Sequence, residues 1–523
     1  MSAPREIELK LEVPADRLSR LTGSALLRDT AVSGRKPASL VSVYFDTDNR
    51  KLRQKGLSLR VRRIGRRLVQ TVKRENGAGA SLFARDEWEH DIHTRQPDLD
   101  AARDTALAPL LKKKLRRSLK PVFETRVRRK IFDIHSGDSR VELSIDRGTI
   151  EAGRRSSPIC ELELELKQGE PADLFKLAKM LAQDAPLRLA VKSKADRGYA
   201  LLTAGKPQAV KAGPIALPPD ADAQSAFQAV AEACLHQLVA NQPLMLDGDP
   251  EGLHQMRVAL RRLRAAIALF PDLLGDPQTN ALKAELKWIT GELGPARELE
   301  IFLTRVMKPA ADRTPRAAEM AVLSRELRRR RKDALARARI AVDSERFGAL
   351  VLDIAAWIET GDWTHNPDDL VRLLRQRPIA QAAADQLQRR RKKIVKRGKH
   401  LDDLDAPHRH RLRIHVKKLR YAAEFFAGAF PRRKSKERWE DFVAALERLQ
   451  DALGDINDIQ VHEHLSEQFI NGANADGKRR SVRAEKAFAA GRLSGREEAR
   501  LAPMMEEAKR AYAAFAKAKR FWA

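Results

Sequence analysis

Residues 5–12 read REIELKLE. In an extended chain successive side chains point to opposite faces, so Glu6, Glu8 and Lys10 share one face while Ile7, Leu9 and Leu11 share the other. Residues 160–167, CELELELK, repeat the device with Glu161, Glu163, Glu165 and Lys167 on one face and leucines on the other. One such strand on its own is a half-buried strand with a solvated charged face. The pattern recurs, however, along the first two hundred residues.

Working outward, LVSVYFDT (40–47), LSLRVRR (57–63), LVQTVKRE (68–75), RDEWEHDI (85–92) and RVELSIDRG (140–148) alternate in the same way and read as strands. Arg60 and Arg62 make a basic stripe, Lys73 follows Thr71 on one face, Glu87 alternates with Glu89 and Arg126 with Arg128, and Glu142 shares a face with Asp146. Helical periodicity is expected only after Pro14, near residues 98–115 and at 173–183. Strands with charge on one face and apolar residues on the other are satisfied together by a closed antiparallel barrel. Its lumen is charged and its apolar outside is covered by helices. Carboxylates in such a lumen suit a hard divalent cation, and arginines and lysines suit phosphate oxygens.

These stretches, in this order, resemble the CYTH superfamily of triphosphate tunnel metalloenzymes over roughly residues 3–203. The residues that carry the resemblance are E-x-E-x-K at 6–10, YFDT (44–47), GLSLRVRR (56–63), QTVK (70–73), FETR (123–126), SID (144–146), CELELEL (160–166) and KSKADRGY (192–199). The resemblance implies an eight-stranded antiparallel tunnel that hydrolyses inorganic triphosphate to diphosphate and phosphate with Mg²⁺ or Mn²⁺. It places metal on Glu6, Glu8, Asp146, Glu163 and Glu165, and catalysis on Glu6, Glu8, Lys10, Arg60, Arg62, Lys73 and Arg126. Substrate binding falls to the basic members of that set together with Lys192 and Lys194. Which of Lys192 and Lys194 reaches inward stays open, as does the part played by Glu161.

The texture changes near residue 205. Residues 206–220 (KPQAVKAGPIALPPD) contain four prolines and read as an interdomain linker. Beyond it apolar residues fall at three- and four-residue spacing, the mark of helices. HQMRVALRRLRAAIALF (254–270) is echoed by HRLRIHVKKLRYAAEFF (410–426), and ELGPARELEIF (292–302) by ALGDINDIQVH (452–462). Two motifs repeated in order imply a duplicated helical unit, each copy a four-helix bundle. His254, Arg257, Arg261 and Arg264 lie on one helix face, and His410, Arg413, Lys417 and Arg420 lie on its counterpart. Both copies resemble the CHAD domain over about residues 221–515, which implies a polyphosphate-binding basic face. The expected domains are therefore 1–205, a linker at 206–220, and 221–515.

Composition narrows the partners. The formal charge is +29, from 100 Lys+Arg against 71 Asp+Glu, which predicts a polyanion. Aromatics are 5% of the chain, so stacking platforms are scarce and nucleic acid is disfavoured. Two cysteines, the absence of a leader-like apolar run at the start and the absence of a spanning segment lead us to expect a cytoplasmic protein without a membrane, with association to polyphosphate granules as a further expectation. The competing expectation is a non-catalytic polyphosphate-binding protein. Oligomeric state is left undetermined.

Overall fold

The computed structural model describes residues 5–34, 36–74, 83–203, 205–218, 220–308, 318–472 and 501–523. The first part is an antiparallel sheet: β1 (Arg5–Glu12), β2 (Ala31–Gly34), β3 (Ala38–Asp46), β4 (Leu57–Ile64), β5 (Arg67–Arg74), β6 (Ala84–Ile92), β7 (Lys120–Ser136), β8 (Ser139–Ala152), β9 (Arg155–Gln168) and β10 (Arg188–Leu189). Neighbours run β10-β1-β6-β5-β4-β3-β7-β8-β9, with β2 beside β7. β1 belongs to two ladders, pairing with β6 through residues 5–7 and with β9 through residues 8–12.

The sequence reading expects eight strands and the sheet holds ten. The extra two, β2 and β10, span four and two residues, too few for alternation to mark them. A second difference lies at 98–115. Instead of a helix, that stretch forms turns, a 3₁₀ turn at Ala108–Leu110 and the start of a short helix at Lys113–Ser118. Pro109 removes a backbone donor in the middle of the segment.

The expected helix at 173–183 forms as α1 (Pro171–Asp184), which buries Leu174, Phe175, Leu177, Ala178 and Leu181. α2 (Lys194–Leu201) begins where a strand face through Lys192 and Lys194 is expected. The Ser193 hydroxyl accepts from the Asp196 N–H while the Asp196 carboxylate accepts from the Ser193 N–H, a reciprocal cap that starts a helix at Lys194.

The second part is helical. Its main elements for function are α3 (Pro250–Ile267), α4 (Pro277–Phe302), α5 (Glu345–Thr360), α6 (Ile379–Gly398), α7 (Ala406–Phe425) and α8 (Arg433–Gly472). The duplication is visible in the packing. Phe270 and its counterpart Phe426 meet edge to face at 6.0 Å, so equivalent positions of the two copies pack on each other. Buried Arg262 donates to Glu424 across the same seam at 2.6 Å. Arg257 lies against Gly294, and its counterpart Arg413 against Gly454; a Cβ on either glycine would stand 3.4 or 3.5 Å from the guanidinium. In each unit the glycine of the second motif thus lies beside the arginine of the first.

The proline-rich stretch is extended, and it is docked. Ile215 and Leu217 are buried, and Val210 exchanges two backbone hydrogen bonds with the Asn241 side chain. α1 packs on α5, and one apolar cluster runs through both parts of the chain. Lys179–Asp353 and Arg188–Asp343, both at 2.5 Å, flank that seam at the surface, where such pairs add little.

Candidate functional site

One face of the sheet lines a cavity of about 620 Å³ to which β1 and β3 through β9 all contribute, together with the start of α2. Glu8 and Lys10 come from β1, Tyr44 from β3, Ser58, Arg60 and Arg62 from β4, and Lys73 from β5. Glu87 and Glu89 come from β6, Arg129 from β7, Glu142 and Ser144 from β8, and Glu163, Glu165 and Lys167 from β9. The intervening residues, such as Leu9, Leu11, Leu143, Leu162 and Leu164, belong to the apolar cluster on the other side. Period-two alternation is thus what sorts charge inward and leucine outward.

Beneath one wall lies a network of buried charge. Asp146 is fully buried and receives Arg129 through two hydrogen bonds of 2.7 Å. Lys194 Nζ stands 2.9 Å from Asp146, 2.9 Å from Glu161 and 2.7 Å from Glu163. Its three ammonium protons are therefore matched by three carboxylates. Arg129 also pairs with Glu163, and Arg197 with Glu161 at 2.6 Å. Burial would raise the Glu163 carboxyl, but Lys194, Arg129 and Lys10 outweigh it and hold it well below the usual carboxylate range.

The opposite wall is less compensated. Arg60 faces Glu87 at 3.3 Å and Glu89 at 3.6 Å, and Lys73 pairs with Glu87. Arg62 donates to the Ser42 hydroxyl at 3.1 Å and has no carboxylate in ion-pair range among the described residues. Burial, then Arg60 and Arg129, push it down to about 10. A half-buried cation beside other cations, with no carboxylate in ion-pair range, is poised to take an anion.

In the helical part, His254, Arg257 and Arg261 of α3 cluster with Arg297 of α4. Burial, then Arg297, Arg261 and Arg257, lower the His254 imidazole, with Glu251 opposing. Among the described residues, His254 Nδ1 and the Nε atoms of Arg257, Arg261 and Arg297 are buried without a hydrogen-bond partner. In the second unit His410 pairs with Asn457, while Arg420 is held by Gln450 at 2.9 Å, by Glu424 and by Glu447 at 3.7 Å.

The CYTH family model matches residues 4–199 and the CHAD family model residues 229–467. The chain carries a CYTH domain and a CHAD domain. Over 197 residues it is 28% identical to an inorganic triphosphatase of Haemophilus influenzae, a match spanning 38% of this chain and 55%, about half, of that protein's length. An uncharacterized protein of Mycobacterium tuberculosis is 25% identical over 467 residues, 84% of each chain. Among solved structures, the CHAD domain from the plant Ricinus communis is 28% identical, covering 58% of this chain and 96% of that one, with a TM-score of 0.49.

Within the CYTH domain the cavity gathers Glu8, Lys10, Arg60, Arg62, Lys73, Glu163, Glu165 and Lys194 from the residues expected by sequence. The Glu6 side chain lies outside the described residues. Arg126 is a correction: its side chain is 57% exposed and pairs with Glu124 at 2.5 Å and Glu151 at 3.4 Å. It has the parity of Phe132 and Ile134, which face away from the cavity. Arg129, three residues on, has the parity of the inward face and lines the cavity. The motif FETR draws attention to Arg126, whereas counting by twos from Val127 finds Arg129. Lys192 is also corrected: it is exposed and lies outside the cavity, because the chain has left the sheet before the Ser193 cap. Asp146 and Glu161 sit behind the cavity wall, engaged by Lys194.

In the CHAD domain the structure brings His254, Arg257 and Arg261 together. Arg264 is exposed on the same helix and acts on Lys418 instead. Arg413 and Lys417 are half-buried on α7, and Arg420 is drawn into the seam. Asp458 and the stretches 309–317 and 473–500 within the expected domain 221–515 lie outside the described side chains. A duplicated signal escaped the sequence reading: Asp249 and Asp405, equivalent in the repeat, both cap their helices ahead of the basic face.

Proposed function

We propose that the CYTH domain, residues 1–205, hydrolyses inorganic triphosphate to diphosphate and phosphate, and that the CHAD domain, residues 221–515, binds polyphosphate across two four-helix units. The observation that carries the first half is the cavity, where eight strands deliver cations and carboxylates to one space of about 620 Å³. The two ladders of β1 fit a closed eight-stranded tunnel with β2 and β10 appended at its edge.

Lys10, Arg60, Arg62, Lys73 and Arg129 bind the phosphate oxygens and stabilise the charge of in-line phosphoryl transfer to water. Arg62 is the strongest anchor, because the ligand supplies the counter-charge that the protein does not. Lys194 positions the wall; its protons are already given to Asp146, Glu161 and Glu163.

A divalent cation fits the donor set. Glu8, Glu165 and Glu142 stand opposite one another across β1, β9 and β8, and like charges so opposed favour a cation between them. Among the described residues no three such side chains yet converge on one point, since Glu8 turns to Lys10 and Glu165 to Lys167. Mg²⁺ or Mn²⁺ held there supplies further neutralisation of phosphate oxygens.

The test is phosphate release by the whole chain from tripolyphosphate, long polyphosphate and ATP, with Mg²⁺, Mn²⁺ or EDTA. Metal-dependent release that is fastest from tripolyphosphate supports the reading. Tight polyphosphate binding with no release from any of the three would make the protein a receptor instead.

A further inference from the structure

Two strands of the cavity carry a lysine two residues past a glutamate: Glu8 and Lys10 on β1, Glu165 and Lys167 on β9. Register sets Glu8 opposite Glu165 and Glu165 opposite Glu142, so three carboxylates that line the cavity stand abreast on adjacent strands. Because β1 and β9 run antiparallel, their lysines leave this row in opposite directions. Lys10 goes inward, to the position opposite Glu163; its side chain is 11% exposed and stands 2.7 Å from Glu8 and 4.0 Å from Glu163. Lys167 goes toward solvent; its side chain is 45% exposed, lines the cavity and pairs with Glu165. Lys10 therefore keeps a second carboxylate when Glu8 turns elsewhere. The exposed Lys167–Glu165 pair is the one that breaks at little free-energy cost.

Carboxylates directly opposite one another on neighbouring strands repel, and each lysine offsets that repulsion with a single charge. A divalent cation brings two charges and takes oxygens from several carboxylates at once. We propose that Lys167 is an exchangeable counter-ion: it holds Glu165 while no divalent cation is bound, yields that carboxylate when one binds, and then takes phosphate oxygens of the substrate. Toward the metal it is a positioning residue, acting through Glu165; toward the triphosphate it is a binding group. Its flexible four-carbon stem and three donors serve both tasks. The inference rests on the triphosphatase reading above and names how its metal seat is regulated.

The test compares the full chain with Lys167→Met and with a charge-matched control, Lys176→Met, an exposed lysine of α1 outside the cavity. The probe is Mn²⁺ alone, titrated without any phosphate compound and read by paramagnetic resonance. Circular dichroism confirms the fold of each variant. An ammonium about 6 Å from a doubly charged ion weakens its binding about tenfold even in water, and salt screens part of this. Lys167→Met should therefore bind Mn²⁺ roughly three- to tenfold more tightly, and the control should stay within about twofold of the unaltered chain. In a Glu165→Gln background the same lysine change should matter less than about twofold, because the pair it breaks is already gone. At saturating Mn²⁺, Lys167→Met should raise KM for tripolyphosphate about tenfold, the loss of one charge-assisted contact. Unchanged or weaker Mn²⁺ binding by Lys167→Met would overturn the exchange. So would equal tightening in the control, which reduces the effect to overall charge, or full tightening without Glu165. Tightening in a chain that releases no phosphate from tripolyphosphate would support the exchange and overturn the triphosphatase reading instead.

Discussion

Replacing Lys194 by methionine separates two roles for this lysine. If it gripped phosphate, the substitution would raise KM and leave stability alone. The structure surrounds its ammonium with Asp146, Glu161 and Glu163 at 2.7–2.9 Å, with only 9% of the side chain exposed. Removal leaves three carboxylates with Arg129, Arg197 and, at 4.0 Å from Glu163, Lys10 as their remaining partners. Breaking a buried ionic network by deleting one member costs about 3–5 kcal/mol. At about 2–4 °C per kcal/mol for a domain of this size, the melting temperature should fall by roughly 6–20 °C at pH 7.5. The pH dependence then has a definite sign. In the native protein the cations hold Asp146 and Glu163 below the usual range, so their stabilisation is present above the unfolded carboxylate value and is lost as pH falls through the folded one. Without Lys194 burial gains the upper hand and the folded carboxyls take up protons more readily, so the gap between variant and native protein should narrow from pH 8 to pH 5. Scanning calorimetry across that range is the assay. A Lys194→Met variant melting within 2 °C of the native protein at pH 7.5, with KM for tripolyphosphate raised, would refute the reasoning.

Three further outcomes are expected. Arg62→Ala should lower kcat/KM for tripolyphosphate by about 10²–10³-fold, the usual loss on removing one charge-stabilising donor, while thermal stability holds or rises because burial works against this charge; steady-state kinetics beside a melting curve checks both halves. Glu165→Gln and Glu142→Gln should each raise the half-saturating Mg²⁺ or Mn²⁺ concentration roughly tenfold or more, read from activity and from direct Mn²⁺ binding by paramagnetic resonance. Burial, then Lys393, Arg397, Lys418 and Arg390, push His415 down to about 4, so it is neutral at pH 7 and protonates more readily in the unfolded chain. Stability should therefore decline as pH falls from about 6.5 toward 4. Melting curves between pH 7 and pH 4 measure that decline, and a His415→Gln variant that loses stability over this range as steeply as the native protein would exclude the linkage.

The inward faces of β1, β4, β5 and β9 were legible because alternation is strict there and charge marks one side. It was less legible on β7, where 126, 128 and 129 are all arginine and only the apolar residues at 123 and 127 fix the parity. The Lys192–Lys194 ambiguity turned on a three-residue cap, a local hydrogen-bond pattern that overrides strand periodicity. In the helical part the repeat exposed the His254 and His410 faces, but not how each copy spends its cations. Lys418 aligns with Arg262, which the fold spends on Glu424. Sequence duplication could not show that the two copies use the same position differently.

The docked connector and the shared apolar seam also govern how this protein can be taken apart. A Cβ built on Gly348 in α5 would stand 3.4 Å from the Leu187 carbonyl, so even one methyl there would touch the sheet part. A cut between residues 205 and 221 would strip Ile215 and Leu217 of cover and bare the flanks of α1 and α5. Recombinant halves would therefore be prone to self-association, and transplanting either module onto another partner would require its flank to be redesigned as surface.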